Sequence, residues 1–269
     1  MPYFLLLIGF ALLVKGADYF VDGASNIAGA LRVSPLLIGL TIVAFGTSAP
    51  EASVSFIAAL EGNSNVAIGN VVGSNIFNTT FILGVASMVF PLTVKSQTIR
   101  KEIPFALLAA IVLFLLISDI QLQNYDINAI SRTEGLVLLL FFAIFLYYVF
   151  EVARNNRELK NQDPSAQVKP SWVKNLALTV GGIVGIMIGG NLVVENSILI
   201  ALSLGMSETL VGLTIVAVGT SLPELVTSVT AALKKQTEIA LGNVIGSNIF
   251  NIFFILGISA AIHPLSVDS

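Results

Sequence analysis

Apolar residues run along the chain in long blocks separated by short polar or Gly/Pro punctuation, at about 2–30, 34–60, 66–91, 103–119, 132–151, 174–203, 207–233 and 239–262. A helix needs about 20 residues to cross the hydrocarbon core of a bilayer, and blocks of this length exceed the strands of a barrel. The pattern predicts an all-α polytopic membrane protein with eight spans. One join differs from the tight turns elsewhere. Segment 153–173 carries Asn155, Asn156, Asn161, Gln162, Asp163, Pro164 and Pro170 and reads as a polar linker. It divides the chain into a half of five spans, 1–152, and a half of three, 174–269.

Composition agrees with the pattern: 55% of the 269 residues are hydrophobic, 11% are charged, and mean hydropathy is +0.91. Soluble domains carry roughly 25% charged residues. A formal charge of −3 and basic residues scattered over short loops give no case for nucleic acid. With no cysteine, disulfides, thiolate metal sites and thiol catalysis are excluded. The N-terminal run lacks a basic leader and a small-residue cleavage site, and it continues through Lys15 and Asp18, so it reads as a retained first helix.

Lys and Arg in short loops set orientation. Arg32; Lys95, Arg100 and Lys101; Arg154, Arg157, Lys160, Lys169 and Lys174; and Lys234 and Lys235 all fall on one set of alternate loops, eleven of the thirteen basic residues. Arg132 lies on the other side and Lys15 within the first span. The N-terminus is therefore expected outside and the linker in the cytoplasm.

Internal comparison adds an architecture. At an offset of 173 residues, Gly39–Glu51 (GLTIVAFGTSAPE) matches Gly212–Glu224 (GLTIVAVGTSLPE) at eleven of thirteen positions, and Gly69–Asn78 (GNVVGSNIFN) matches Gly242–Asn251 (GNVIGSNIFN) at nine of ten. The second span corresponds to the seventh and the third to the eighth. An offset of five spans is odd, so the copies are inverted, an arrangement that puts transporter sites at the repeat interface near mid-membrane. Pro91–Ser96 and Pro264–Ser269 extend the match, while the fourth and fifth spans have no counterpart.

Within the repeats, Pro50 and Pro223 interrupt apolar helices, so carbonyls near Ala44–Thr47 and Ala217–Thr220 are expected to lose their partners. Glu51 and Glu224 follow immediately. A carboxylate at mid-span costs at least about 2.5 kcal/mol, which argues for a functional role over a protonated structural one. The one base well inside a span, Lys15, is placed to pair with Asp18 or with one glutamate, and one base cannot neutralise two symmetric acids. Thr47 shares a helix face with Glu51, Thr220 with Glu224, Ser74 with Asn78 and Ser247 with Asn251. With Ser48 and Ser221 these are hard oxygen donors of the kind Ca²⁺ and Na⁺ take. Asn70, Asn75, Asn243 and Asn248 read as satisfying backbone around breaks in the third and eighth spans, with contact to ions as the second reading. The Gly69/Gly73 and Gly242/Gly246 spacings read as seams for close packing of the third and eighth spans. His263, the only histidine, and Trp172, near an expected interface, read as incidental and as an anchor. No nucleophile–base pair or phosphate loop is present, so the chain does not read as an enzyme.

The strings GTSAPE with GNVVGSNIFN and GTSLPE with GNVIGSNIFN resemble the two α-repeats of the calcium/cation antiporter superfamily, in particular its prokaryotic sodium/calcium exchangers. The resemblance covers essentially the whole chain. It implies a ten-helix fold, of which eight spans are present and the last two absent, with helices 2, 3, 7 and 8 as an ion-binding core and helices 1 and 6 sliding across it. It implies Glu51 and Glu224 as central calcium ligands with Thr47 and Thr220. Ser48, Ser74, Ser221 and Ser247, with backbone oxygens of Ala44 and Ala217, would complete sodium sites, and Asn78 and Asn251 would lie between them. Some members carry Asp where this chain has Asn251, and Asn there accompanies potassium-independent transport. The implied function is Na⁺/Ca²⁺ antiport in a prokaryotic inner membrane, with Ca²⁺ and Na⁺ as transported ions, the bilayer as surroundings and no cofactor. Proton/calcium antiport is the rival, and a cation-binding membrane protein that does not transport is the reading of another class.

Overall fold

In a computed structural model, residues 2–94, 96–123, 127–160, 171–207, 215 and 217–267 are described. Lys95, residues 161–170 of the linker, residues 208–214 and Val216 of the second repeat, and Asp268 lie outside them. Helices occupy every predicted block: α1 Pro2–Leu31, α2 in two arms Pro35–Thr47 and Ala49–Leu60, α3 Ser64–Val89, α4 Glu102–Leu116, α5 Arg132–Lys160, α6 Trp172–Ser203, α7 with Ala217–Gly219 and Leu222–Leu233, and α8 Thr237–Ile262. Helices α1, α3, α5, α6 and α8 are long and apolar enough to cross a bilayer, and the arms of α2, bent by 50°, together make a sixth span. The chain is an integral membrane protein of helical architecture. α5 runs to Lys160, past the expected start of the linker at 153. Its polar end continues as helix, with Glu151 and Arg154 paired at 3.5 Å one turn apart.

Apolar side chains gain nothing from leaving lipid for one another, so these helices associate where small residues let backbones touch. Along the α1–α6 seam a Cβ on Gly16 would stand 2.7 Å from the Ile186 nitrogen, and one on Gly182 would stand 2.6 Å from that of Phe20. Gly242 and Gly246 of α8 do the same against α2, where added Cβ atoms would meet the Leu36 and Leu40 carbonyls. The expected close-packing seam is thus present on α8, against α2, and not on α3, where a Cβ on Gly69 or Gly73 would meet nothing within 4 Å. On its other flank α8 is wrapped by α5, through Phe141 on Phe253 at 5.5 Å and Phe142 on Phe254 at 5.1 Å. The Tyr148 hydroxyl of α5 donates to buried Glu102 Oε1 of α4.

Two features had no clear sequence signal. Asn128–Ile130 (β1) and Leu265–Val267 (β2) pair antiparallel, tying the residues after α8 to the α4–α5 connection. Lys234, at the end of α7, reaches α1, with Nζ 2.8 Å from Asp22 Oδ1 and 3.2 Å from Asp18 Oδ1. Lys15 pairs with Asp18 at 3.7 Å and is 70% exposed.

Helices α1, α2, α6 and α7 end in the same turn, in which the amide five residues on donates back to a last-turn carbonyl: Val33 to Ala28, Asn63 to Ala58, Met206 to Ala201 and Gln236 to Ala231. The residue just before each donor is left-handed: Arg32 (φ 59°), Gly62 (φ 73°), Gly205 (φ 87°) and Lys235 (φ 61°).

Candidate functional site

Each repeat presents a broken helix and a helix with a widened turn. In α2 the chain bends at Ser48 (φ −81°, ψ 7°), two residues before Pro50, and in α7 at Ser221 (φ −89°, ψ 7°), two before Pro223. Proline supplies no amide donor and crowds the turn before it, so the break falls there. The expectation that this frees the Ala44 carbonyl is not met. Ser48 N donates to it at 3.0 Å, and Thr47 Oγ1 stands 3.3 Å away. Wide π-helical turns occupy Gly39–Val43, Asn78–Ile82 and Phe250–Leu256. Such turns concentrate at functional sites, and here they begin at Asn78 and enclose Asn251.

The two breaks are locked to each other. Ser48 Oγ donates to Glu224 Oε1 at 2.9 Å, and Ser221 Oγ donates to Glu51 Oε1 at 3.0 Å. Each serine stands three residues before one glutamate and bonds the other, so the pairing is reciprocal. Ser74 Oγ lies 3.4 Å from Glu51 Oε1 and 3.1 Å from Ser221 Oγ. Thr47, Ser48, Glu51, Ser74, Asn78, Ser221, Glu224, Ser247 and Asn251 are all buried, while Thr220 is half-buried and Ala217 heads the short turn Ala217–Gly219. Among the described residues neither glutamate forms an ion pair and no three acidic or histidine side chains cluster.

Asparagines brace this arrangement from behind. Asn70 Nδ2 donates to the Glu51 carbonyl (3.0 Å) and Ser55 Oγ (2.9 Å), and Asn243 Nδ2 donates to the Glu224 carbonyl (3.4 Å) and Ser228 Oγ (2.9 Å). They serve the breaks of α2 and α7, not breaks in their own helices. Thr47 Oγ1 adds a cross-repeat bond to Asn243 Oδ1 at 3.0 Å. Ser55 and Ser228 were missed by the sequence reading although they also stand 173 apart, a signal that finds them. His263 lies exposed, its Nδ1–H donating to the Pro264 carbonyl.

Several buried oxygens are left without a hydrogen-bond partner among the described residues: Glu51 Oε2, Glu224 Oε2, Asn78 Oδ1, Asn251 Oδ1 and Ser247 Oγ. Unsatisfied polar atoms in a protein interior are rare and costly. Five on one pair of inverted motifs form a donor set of hard oxygens, the ligand chemistry of Na⁺ and Ca²⁺ and not of thiophilic metals. An apolar cavity of about 340 Å³ between Phe45, Phe142, Phe145 and Phe250 stands apart from it and includes none of these residues.

Residues 1–151 and 174–269 match the family profile described as "Sodium/calcium exchanger protein". The chain belongs to the sodium/calcium exchanger protein family. Within that family it is 38% identical over 297 residues to "Sodium/calcium exchanger MaX1" of Methanosarcina acetivorans, covering 98% of this chain and 84% of the relative. It is 39% identical over 269 residues to "Putative antiporter CaxA" of Alkalimonas amylolytica, covering 98% and 82%. The fold superposes on the sodium-calcium exchanger NCX_Mj with a TM-score of 0.84 at 33% identity, covering 99% of this chain and 84% of that one. This places the chain among transporters and gives it the helical fold of that exchanger.

Proposed function

We propose that the chain exchanges Na⁺ for Ca²⁺ across the membrane by alternating access, with both ions competing for one site centred on Glu51 and Glu224. The observation that carries this reading is the reciprocal Ser48–Glu224 and Ser221–Glu51 locking, which leaves two buried carboxylates facing no basic partner and each with one unpartnered oxygen. Two negative charges balance one Ca²⁺. Thr47, Ser48, Ser74, Asn78, Thr220, Ser221, Ser247, Asn251 and the backbone of Ala217 supply the further oxygens from which Ca²⁺ draws its six to eight ligands, or from which several Na⁺ sites are made. The doubly charged empty site is costly to move past a hydrophobic seal, whereas the loaded site is near neutral. Only loaded forms therefore switch sides, and exchange is obligatory.

Similarity to proteins named as sodium/calcium exchangers supports the choice of ions. The glycine seam that binds α1 to α6 supports their moving as one body over the core of α2, α3, α7 and α8. Orientation with the N-terminus outside and the 153–173 linker in the cytoplasm of a prokaryotic inner membrane completes the proposal. Besides loop charge, the helix-ending turns support it. Arg32 and Gly205 are repeat equivalents, as are Gly62 and Lys235, and in each pair the basic residue is the one on the expected cytoplasmic side.

The test is purified protein in liposomes, with Ca²⁺ uptake driven by an outward Na⁺ gradient. Uptake that needs the Na⁺ gradient and is lost in Glu51→Gln is expected. Uptake driven by a pH gradient without Na⁺ replaces sodium by protons, and uptake that survives Glu51→Gln removes the site.

A further inference from the structure

The central asparagines Asn78 and Asn251 are symmetric acids' neighbours without charge, and an amide serves a cation only through its oxygen. Its NH₂ end repels the ion. Something must therefore decide which end points inward, and an isolated amide turns about its last torsion with a roughly two-fold preference. In this structure Asn251 Nδ2 donates to Asn75 Oδ1 at 3.0 Å, and Asn78 Nδ2 donates to Asn248 Oδ1 at 3.1 Å. Both bonds cross from one repeat to the other, and both leave the opposite end, Asn251 Oδ1 and Asn78 Oδ1, buried and unpartnered.

Asn75 is itself held in one sense, and Asn248 is bonded in the corresponding sense to a hydroxyl that can also donate. Asn75 Nδ2 donates to the backbone carbonyl of Asn248 at 3.2 Å. A carbonyl only accepts, so Asn75 cannot flip without facing oxygen to oxygen, and its Oδ1 is fixed as the acceptor for Asn251. Asn248 Nδ2 donates to Thr79 Oγ1 at 2.8 Å, leaving its Oδ1 for Asn78. Donation thus runs one way along each relay, from the central amide through the bracing asparagine to an anchoring backbone or hydroxyl oxygen, and leaves the central amide's oxygen over.

We propose that Asn75 and Asn248 are positioning residues for ion selectivity: by fixing the amide sense of Asn251 and Asn78 they keep oxygen, and not NH₂, toward the transported cation. This rests on the reading of Asn78 and Asn251 as ion ligands. The relay also accounts for the amide at 251, because a carboxylate there would set its oxygens against Asn75 Oδ1. Alanine at 75 removes the acceptor and frees the Asn251 amide to turn.

The experiment is a double-mutant cycle in the reconstituted full chain, reading Ca²⁺ uptake against the Na⁺ gradient. Asn75→Ala is expected to raise the KM for Ca²⁺ about tenfold, the lower end of what loss of a ligand-orienting partner costs, with the maximal rate within about twofold. Asn251→Ala should raise it at least as much, and the double variant Asn75→Ala/Asn251→Ala should be no worse than Asn251→Ala alone. Losses that multiply in the double variant, or an unchanged KM in Asn75→Ala, overturn the positioning role while leaving the ligand reading intact. An unchanged KM in Asn251→Ala overturns the ligand reading and the positioning role with it. Asn248→Ala with Asn78→Ala repeats the cycle on the mirror relay. If Asn75→Ala does not yield a monodisperse protein, the same three outcomes are read from that second cycle.

Discussion

Helices α3 and α8 begin as nearly the same sequence and end in different surroundings. Over the windows that cross the membrane, 28% of α3 is buried and 72% of α8. Ile76 and Ile249 are equivalent, yet Ile76 is 59% exposed and Ile249 fully buried. Ser74 and Asn78 on one helix and Ser247 and Asn251 on the other are buried alike. The duplicated strings therefore keep one face in common, the one that meets the opposite repeat, while the outer face takes whatever packs on it. For α8 that is α5, through its phenylalanines, and α4; in α3 much of the corresponding face is exposed, and the sequence holds no counterpart of α4 and α5 in its second half. The part of the surface on which the reciprocal bonds depend is common to both copies.

The largest effect that tests this equivalence is on the shared face. Glu51→Gln and Glu224→Gln should each lower Na⁺-driven Ca²⁺ uptake by about a hundredfold or more, since even groups that merely orient ligands are worth about 10- to 100-fold. The two losses should be similar, because each carboxylate is bonded by the serine of the other repeat. A loss in one variant and normal uptake in the other would break the symmetry that the comparison rests on.

On the outer face the same substitution should give opposite results. Ile249→Ala removes packed atoms from a site already closed on all sides, a cost of about 2–3 kcal/mol. In a bilayer this is lost dispersion and not lost burial from water. Ile76→Ala trims an exposed side chain and should lie within about 0.5 kcal/mol of wild type. Apparent Tm in detergent measures both. Equal shifts would mean that something covers α3 in solution as α5 covers α8.

The contrast also shows what the sequence could disclose. The eight helical blocks, the breaks at Pro50 and Pro223 and the buried polar set were legible, because proline chemistry, apolar length and a 173-residue repeat are local or self-referential signals. The reciprocal serine–glutamate bonds were not. Ser48 and Ser221 were identified as oxygen donors, but which carboxylate each serves depends on how the inverted halves meet. The wide turns at Asn78 and Phe250 carry no composition signal, and Thr79, which holds Asn248, is not repeated: Ile252 stands in its place. The freed Ala44 carbonyl was a reasonable inference from Pro50 that failed for a geometric reason. The chain turns at Ser48, so the amide of that residue still reaches Ala44. Of the two partners open to Lys15, Asp18 and a buried glutamate, the structure has Asp18, and it is Lys234 that links α1 to α7.

The smallest effect concerns the turns that end the repeat helices. Lys235 and Gly62 occupy equivalent left-handed positions, with φ of 61° and 73°, and the same pair of backbone bonds closes each turn. A side chain there costs about 1 kcal/mol through the clash of its Cβ with the following carbonyl. Lys235→Gly relieves that strain but gives the unfolded chain more freedom, which takes back about half, so a net gain of about 0.5 kcal/mol is expected. Gly62→Lys should lose about as much. Apparent Tm of the two variants supplies the check, and destabilisation by Lys235→Gly would mean that the lysine makes a folded-state contact worth more than its strain. If the expected gain is found, the strained residue is retained for a reason other than stability. Loop charge is the one the positions suggest: with Lys235 and Arg32 on the expected cytoplasmic side and Gly62 and Gly205 opposite, moving lysine from 235 to 62 should lower the fraction of chains inserted with the N-terminus outside, as read by protease access to the α2–α3 turn.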